Sequence, residues 1–334
     1  MILNMIGVIG SGTWATAIVK ILLEQEGRKV NWWVRSDEVR EGLLATGRNP
    51  IYLPSVQFDL ERLCISGDLA QVVADSEYLF LVVPSAYIGD TLEQLPKAAY
   101  KGKKMISAIK GVLPKRRTSV SVFLENTLKV KRNDICVISG PTHAEEASRK
   151  MPTFLTMASN SPTLAIEVEQ MMRCSYLHTT HTTDILAVER VGLTKNIYAI
   201  AAGICQGLGY GDNLNAVMVS AAMRELSNLL KVFPSTTRNI ADNCYLGDLM
   251  VTCWSHHSRN RRLGEMIAKG NKLDDIFAKM GTVPEGYYSA QNYHELALII
   301  GRTDDIPIVE AVYRILYEEA DPRTEIDFLI DNVF

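Results

Sequence analysis

Residues 1–15 read MILNMIGVIGSGTWA, an apolar segment that runs directly into two closely spaced glycines. The pattern predicts a strand over residues 1–9, a tight turn at the glycines and a helix over residues 16–25. Gly10 permits the sharp turn, Gly12 lets a diphosphate approach the backbone, and the N–H groups that start the helix attract an anion. The arrangement is typical of a dinucleotide-binding site, although a turn used only for packing would show the same residues.

Strand and helix patterns alternate through the first half of the chain. Further strands are predicted over residues 29–34, 63–66, 78–83, 105–109, 135–139, 154–158 and 176–183. This alternation predicts an α/β fold with a doubly wound, Rossmann-type parallel sheet. From Asp184 onward, helical periodicity with short Gly, Asn or Pro breaks predicts an all-α C-terminal domain. We therefore expect a dinucleotide-binding domain over residues 1–183, a helical substrate domain over residues 184–334, and an active site in the cleft between them.

Composition excludes several classes of protein. The chain has 334 residues, and its 35 Lys and Arg against 38 Asp and Glu give a net charge of −3, which argues against binding nucleic acid by neutralising phosphates. The six cysteines are scattered without a CxxC pair, as is typical of a reducing compartment. The N-terminal residues do not resemble a signal peptide, and the apolar runs are shorter than the roughly 20 residues of a membrane helix. We expect a cytoplasmic protein that neither binds nucleic acid nor inserts into a membrane.

Lys195 lies on the apolar face of a long predicted helix over residues 184–209. Burial would lower the pKa of its amine and require an anionic partner, and an amine in that state can exchange protons near neutral pH. The alternative is a lysine that snorkels past the edge of the helix into solvent. Asp248, which precedes an apolar run, is the candidate partner, although an aspartate after a glycine is also typical of a helix N-cap.

Polar side chains follow two later strands of the predicted sheet. Lys110 comes directly after one strand, and Gly140 and Thr142 follow the next, beside the start of a helix. Doubly wound sheets bind ligands at the carboxyl ends of their strands. We therefore expect these three residues to contact a ligand.

The residue after the second strand bears on the choice of cofactor. NAD-preferring sites usually place an acidic residue there to hold the ribose hydroxyls, whereas this chain has Arg35. An arginine suits the 2′-phosphate of NADPH, although Asp37 is close enough to leave NADH open. Trp14 is interpreted either as a cover for the cofactor or as a core residue.

Residues 258–262 predict a phosphate-binding pocket. Ser258 is a candidate cap for the following helix, whose first N–H groups and dipole favour an anion. Arg259 supplies a forked cation and Asn260 a directional contact, whereas the two arginines that follow are typical of a solvated or ion-paired helix face. Neighbouring histidines lack partners at metal-ligand spacing, so no metal site is predicted.

Eight segments together resemble the bacterial NAD(P)-dependent glycerol-3-phosphate dehydrogenases. They are GSGTWATA (10–17), AIKG (108–111), ISGPTHAEE (138–146), GLTKNIYAIAAGI (192–204), GLGYGDN (207–213), LGDLMVTC (246–253), SRNRRLGE (258–265) and PEGYYSA (284–290). They occur in the family's order and cover nearly the whole chain. The resemblance implies reversible hydride transfer from NADPH or NADH to dihydroxyacetone phosphate, giving sn-glycerol 3-phosphate for phospholipid synthesis. It also implies a cytoplasmic enzyme that is usually a homodimer.

The same resemblance implies roles for individual residues. It makes Lys195 the proton donor and acceptor, with Lys110 and Asp248 beside the reacting carbonyl. The implied substrate-binding residues are Lys110, Gly140, Thr142, Lys195, Asp248, Ser258, Arg259 and Asn260. The implied cofactor contacts are Thr13, Trp14, Arg35, Lys110, Ala144, Arg259, Val283 and Glu285. They add to Gly10 and Gly12, which the turn itself predicts.

The chain departs from the family pattern at two places. Ala15 stands where a third glycine is common, which we expect to shift helix–strand packing slightly. Ser220 and Ala221 stand where many members have a Thr-Arg pair, which bears on substrate anchoring. Two alternatives stay open: another two-domain hydroxyacid dehydrogenase acting on a small phosphorylated substrate, and a non-catalytic regulator that binds NADPH.

Overall fold

The computed structural model describes residues 5–232, 235 and 238–334, so the first four residues of the predicted strand over residues 1–9 lie outside the described residues. The chain forms two compact units. The N-terminal unit contains the chain up to Ile109 together with Thr118–Ile185, and the C-terminal unit contains Lys110–Arg117 together with Leu186–Phe334. The domain boundary predicted between residues 183 and 184 stays a prediction.

The N-terminal unit is built on a sheet of eight strands. The strands are β1 (Ile6–Ile9), β2 (Val30–Trp33), β3 (Leu63–Ser66), β4 (Tyr78–Leu81), β5 (Lys104–Ser107), β6 (Ile135–Ser139), β7 (Thr153–Ser159) and β8 (Leu177–Thr182). Their order across the sheet is β3-β2-β1-β4-β5-β6-β7-β8. The order reverses direction beside β1, as in a doubly wound fold, which confirms the predicted architecture.

Helices in this unit alternate with the strands along the chain. They are α1 (Thr13–Leu23), α2 (Asp37–Thr46), α3 (Leu69–Ala74), α4 (Ser85–Leu92), α5 (Val120–Asn126), α6 (Ala144–Ser148) and α7 (Pro162–Met172). The apolar faces of α1 and α7 pack with β1, β2, β4 and β6 in one buried core, in which Trp32 meets Phe58 edge to face. The core fixes the position of β1 and of the turn that follows it.

The sheet departs from the all-parallel prediction at one pair of strands. β6 and β7 are antiparallel, with Ser139 opposite Thr156. Only the short α6 lies between them, with five residues, as many as β6 itself. A helix of that length rises about 7.5 Å, whereas such a strand is about 17 Å long, so α6 is too short to return the chain to the start of β6. The chain instead turns back at the carboxyl end of β6.

The described residues of the C-terminal unit contain helices and no strand, which confirms the predicted all-α architecture. The helices are α8 (Ile185–Gly207), α9 (Asp212–Leu230), α10 (Asp248–Trp254), α11 (Arg259–Ala268), α12 (Leu273–Met280), α13 (Glu285–Ile300), α14 (Pro307–Tyr317) and α15 (Pro322–Asn332). Throughout the described ranges, no helix combines the length and apolar character that a bilayer span requires.

Glycines let α8 and α11 approach closely. A Cβ atom on Gly203 would lie 2.0 Å from the carbonyl oxygen of Arg261, and one on Gly264 would lie 2.1 Å from that of Ile200. Backbone atoms cannot yield to such a contact, so these positions require glycine. The close crossing places the start of α11 beside the middle of α8.

A buried carboxylate fixes α8 from another side. Glu225 on α9 accepts hydrogen bonds from the Tyr198 hydroxyl on α8, at 3.2 Å, and from the backbone N–H of Ile308 at the start of α14, at 2.8 Å. Burial raises the pKa of Glu225 to about 8, although these donors oppose the rise. Three helices therefore meet at one side chain.

Candidate active site

Lys195, Asp248 and Lys110 form one cluster in the C-terminal unit. Lys195 is 5% exposed and Asp248 is 0% exposed. The Nζ atom of Lys195 lies 2.5 Å from Oδ1 of Asp248, and the Nζ atom of Lys110 lies 3.1 Å and 3.0 Å from the two carboxylate oxygens. The contacts confirm that Lys195 is buried and paired with Asp248. One carboxylate thus holds two amines.

The burial of this cluster shifts the pKa values of its members. Burial lowers the pKa of Lys195 to about 7, an effect that Lys110 adds to and Asp248 opposes. Burial alone would raise the pKa of Asp248, but the two lysines outweigh it and hold that pKa below its usual value. The carboxylate therefore stays ionised while Lys195 can give or take a proton near neutral pH.

The local fold explains how Asp248 reaches the cluster. Asp248 is the first residue of α10, directly after a π-helical turn over Asn243–Gly247. The N-cap position of α10 is occupied by Gly247, and the Asp248 side chain pairs with the two lysines, so Asp248 is not the N-cap that the sequence left open. Thr252, one turn later, donates to the Asp248 carbonyl at 2.6 Å.

Asn196 connects this cluster to two other elements. Its amide nitrogen donates to the Lys110 carbonyl at 2.8 Å, and its amide oxygen accepts from Asn260 at 2.9 Å. The Asn260 oxygen in turn accepts from the N–H of Gly286 at 2.9 Å. Asn196 was not predicted from the sequence, where the available signal is a polar side chain next to Lys195 on an otherwise apolar helix.

The same network brings the start of α13 next to α11. A Cβ atom on Gly286 would lie 2.7 Å from the Asn260 amide oxygen, so the contact requires glycine. Glu285, predicted to contact the cofactor, is the first residue of α13, and Val283 precedes it in a half-buried position. The predicted phosphate residues at the start of α11 and the predicted cofactor residues Val283 and Glu285 at the start of α13 therefore lie at adjoining helix starts.

The start of α11 has the cap that the sequence predicts, and its role as a phosphate pocket stays a prediction. The Ser258 hydroxyl accepts from the N–H of Arg261 at 3.2 Å, which confirms Ser258 as the cap. Arg259 is exposed at the first position of the helix, whereas Asn260 is buried in the network described above. Arg261 is also buried, and it bonds Gln206 and Glu265. Arg259 is therefore accessible to a ligand at the first position of the helix, and its contact with a phosphate stays a prediction.

The glycine turn of the N-terminal unit fits a diphosphate. Gly10 has a φ of +124°, and a Cβ atom there would lie 2.5 Å from the Val82 carbonyl oxygen. A Cβ atom on Gly12 would meet nothing within 4 Å, so that side of the turn is open. Gly12 also occupies the N-cap position of α1, which begins at Thr13. Because glycine has no side chain, it makes no hydrogen bond to the first N–H groups of the helix. An anion can approach both the turn and the helix start.

Arg35 and its neighbours lie at the carboxyl end of β2. Arg35 is exposed, Ser36 caps α2 by accepting from Val39, and the Asp37 carboxylate pairs with Arg40 at 2.5 Å. Asp37, the acidic residue that could bind the ribose hydroxyls of NADH, therefore forms an ion pair with Arg40. Trp14 is half-buried and packs against the core, which suits either interpretation of this residue.

The remaining predicted ligand residues follow β6. Gly140 has a φ of +130°, and a Cβ atom there would lie 2.5 Å from the Phe154 carbonyl oxygen. The same oxygen accepts from the Thr142 hydroxyl at 3.2 Å. Ala144 is buried at the first position of α6. The structure thus gives Gly140 and Thr142 a part in shaping this connection, and their contact with substrate stays a prediction.

The residues that depart from the family pattern lie on α1 and α9. Ala15 is fully buried on α1, where its methyl group takes part in the core. Ser220 is exposed on α9 and donates to the Ala216 carbonyl at 2.9 Å, and Ala221 beside it is buried.

Comparison with known proteins agrees with this geometry. Residues 5–165 match the model of the NAD-dependent glycerol-3-phosphate dehydrogenase N-terminus, and residues 184–327 match that of the C-terminus. Glycerol-3-phosphate dehydrogenase [NAD(P)+] of Chlorobium limicola is 35% identical over 94% of this chain and 93% of its own length. That of Syntrophotalea carbinolica is 34% identical over 98% and 97%.

A solved structure gives the same result for the fold. The crystal structure of glycerol-3-phosphate dehydrogenase from Coxiella burnetii superposes with a TM-score of 0.90 at 28% identity, covering 98% of this chain and 99% of that one. With both family models matched and this sequence identity along nearly its whole length, the chain belongs to the NAD-dependent glycerol-3-phosphate dehydrogenase family.

Proposed function

We propose that the protein is a glycerol-3-phosphate dehydrogenase [NAD(P)+] that reversibly reduces dihydroxyacetone phosphate to sn-glycerol 3-phosphate. The observation that carries the proposal is the buried amine of Lys195, held 2.5 Å from the carboxylate of Asp248 in a chain of this family. A ketone becomes an alcohol by gaining a hydride at carbon and a proton at oxygen. A buried amine with a pKa of about 7 suits the second requirement.

Lys195 donates its proton to the carbonyl oxygen of the substrate as negative charge develops there, and it removes that proton in the reverse reaction. When bound, a reduced nicotinamide supplies the hydride. Asp248 keeps the amine oriented, and Lys110 adds positive charge beside the same carboxylate. Charge placed in advance near the developing alkoxide stabilises it without reorganisation.

Arg259 binds the phosphate of the substrate. It is exposed at the first position of α11, where the helix dipole also favours an anion. Ser258 and Asn260 hold the same helix start in place through their hydrogen bonds. Gly140 and Thr142 contribute further substrate contacts from the connection after β6.

The dinucleotide diphosphate would be held by the turn at Gly10 and Gly12 and by the start of α1. Arg35 would bind the 2′-phosphate, which makes NADPH the preferred cofactor, with NADH as the weaker alternative. Further contacts with the cofactor come from Thr13, Trp14, Lys110, Ala144, Arg259, Val283 and Glu285.

We also propose that the enzyme acts in the cytoplasm as a homodimer and supplies sn-glycerol 3-phosphate for phospholipid synthesis. These statements rest on the family resemblance. Size-exclusion chromatography with light scattering tests the dimer directly.

An absorbance assay tests the proposed reaction. We expect dihydroxyacetone phosphate to cause oxidation of NADPH, while succinic semialdehyde does not, and 6-phosphogluconate to cause no reduction of NADP⁺. Turnover with either of the last two would favour another hydroxyacid dehydrogenase. Binding of NADPH without turnover of any phosphorylated ketose would favour a non-catalytic regulator.

A further inference from the structure

Three successive carbonyl oxygens of the glycine turn each accept a hydrogen bond from a buried side chain. Trp32 donates to the Gly10 carbonyl at 2.7 Å, Asn49 donates to that of Ser11 at 3.0 Å, and the Thr16 hydroxyl donates to that of Gly12 at 3.0 Å. These residue pairs all belong to the N-terminal unit. Each of these three carbonyl groups in the turn is therefore held by a side chain of the same unit.

These bonds determine where the N–H groups of the turn point. The described peptide bonds are all trans, and in a trans peptide the carbonyl and the N–H of the next residue point in opposite directions. Because the carbonyls of Gly10, Ser11 and Gly12 face protein donors, the N–H groups that follow them face the other way. The turn is also open beside Gly12, because a Cβ atom added there would meet nothing within 4 Å.

Of these three donors, Trp32 lies in β2 and Thr16 in α1, whereas Asn49 lies in neither a strand nor a helix. It is 0% exposed. Its amide nitrogen donates to Ser11 and, at 3.0 Å, to the Thr16 hydroxyl, while its amide oxygen accepts from the N–H groups of Ile51 at 3.2 Å and Tyr52 at 2.9 Å. Both amide hydrogens and both lone pairs are thus used, which gives the side chain a single orientation.

We propose that Asn49 is a positioning residue of the dinucleotide site, acting through the Ser11–Gly12 peptide to direct the Gly12 N–H at the cofactor diphosphate. The inference rests on the proposed cofactor site. Asn49 touches neither the diphosphate nor the reacting atoms in this account. It orients the group that does, and it anchors residues 51–52 to the same turn.

Asn49→Asp is the most selective test of this role. An aspartate keeps the acceptor oxygen for Ile51 and Tyr52 but loses both donated hydrogen bonds, and it places an oxygen against the Ser11 carbonyl. We expect the dissociation constants of NADPH and NADH, measured by calorimetry, to rise roughly tenfold, which corresponds to about 1.4 kcal/mol, because the Ser11–Gly12 peptide loses the bond that orients it. Adenosine 2′-monophosphate, which has no diphosphate, should keep its affinity.

Two matched sets of variants separate positioning from general destabilisation. Asn31→Asp makes the same chemical change in β2, where the amide donates to the Asp75 carbonyl and to Ser76, so it should lower the melting temperature and leave both dissociation constants unchanged. Thr16→Val removes the hydroxyl that joins Asn49 to Gly12 without adding charge, and Thr16→Ser retains it. We expect weaker dinucleotide binding for Thr16→Val and near wild-type binding for Thr16→Ser.

The outcomes are distinct. Dinucleotide affinities within about twofold of wild type in a folded Asn49→Asp protein would overturn the proposal, as would an equal loss of adenosine 2′-monophosphate binding. If Asn49→Asp does not fold, equal affinities for Thr16→Val and Thr16→Ser would overturn it instead. Failure of the proposed function would appear elsewhere, as a wild-type protein that binds the dinucleotide and does not reduce dihydroxyacetone phosphate.

Discussion

The ammonium nitrogen of Lys195 lies 2.5 Å from Oδ1 of Asp248, and both side chains are buried. The pair joins the middle of α8 to the first residue of α10, two segments that are 53 positions apart in the chain. The second amine, that of Lys110, contacts both oxygens of the same carboxylate. The carboxylate of Asp248 therefore contacts the amines of two lysines from different parts of the chain.

Removing this anion should destabilise the protein. Asp248→Asn leaves the buried amine of Lys195 without a charged partner, and loss of one member of a buried ion pair typically costs about 3–5 kcal/mol. Urea unfolding measures the change in the free energy of unfolding. Asp305→Asn is the matched control, because it removes a half-exposed pair with Arg302 in the same unit and should cost less than about 1 kcal/mol. Equal losses in the two variants would contradict the assigned burial.

The kcat for reduction and the kcat for oxidation should change in opposite directions as the pH rises. Burial lowers the pKa of Lys195 to about 7 from an ordinary value of 10.5. Reduction needs the protonated amine, so its kcat should be highest below pH 7 and fall as the pH rises through about 7. Oxidation needs the neutral amine, so its kcat should rise over the same range. Profiles of kcat in both directions check this, and a common sign would contradict the assignment.

Arg259→Ala should raise the KM for dihydroxyacetone phosphate. The side chain is exposed at the start of α11, and a hydrogen bond to a charged group contributes about 1.5–3 kcal/mol, which corresponds to roughly tenfold or more in KM. Arg262→Ala, which removes another exposed arginine from the same helix, should leave KM unchanged. If the Arg259 variant keeps the wild-type KM and kcat, Arg259 does not belong to the site.

Arg35→Ala should change the choice of cofactor. Because the guanidinium is proposed to bind the 2′-phosphate, the KM for NADPH should rise roughly tenfold while that for NADH changes little. NADH is the control within the same protein, since it lacks only that phosphate. Equal changes in kcat/KM for both cofactors would remove Arg35 from the specificity determinants.

The sequence predicted the features that depend on local patterns. The glycine turn, the strand–helix alternation, the cap at Ser258 and the buried face that carries Lys195 all follow from residues close together in the chain. The pairing with Asp248 followed from a physical requirement, because a buried amine needs an anion.

Features that depend on tertiary contacts were harder to predict. The antiparallel placement of β7 depends on the short length of α6. Asn196 and Asn49 are polar residues without a motif of their own, and their importance comes from bonds to Lys110, Asn260 and Ser11 that lie far away in sequence. Long-range hydrogen bonds leave little trace in local composition.

If Lys195 supplies the proton, the turnover number of Lys195→Ala should fall steeply. Lys104→Ala, which removes a partly exposed lysine paired with Asp134, serves as the control. With saturating dihydroxyacetone phosphate and NADPH, we predict that kcat falls roughly 10²–10⁴-fold for the Lys195 variant, while its dissociation constant for NADPH stays at the wild-type value. A wild-type kcat in that variant would exclude Lys195 as the proton donor.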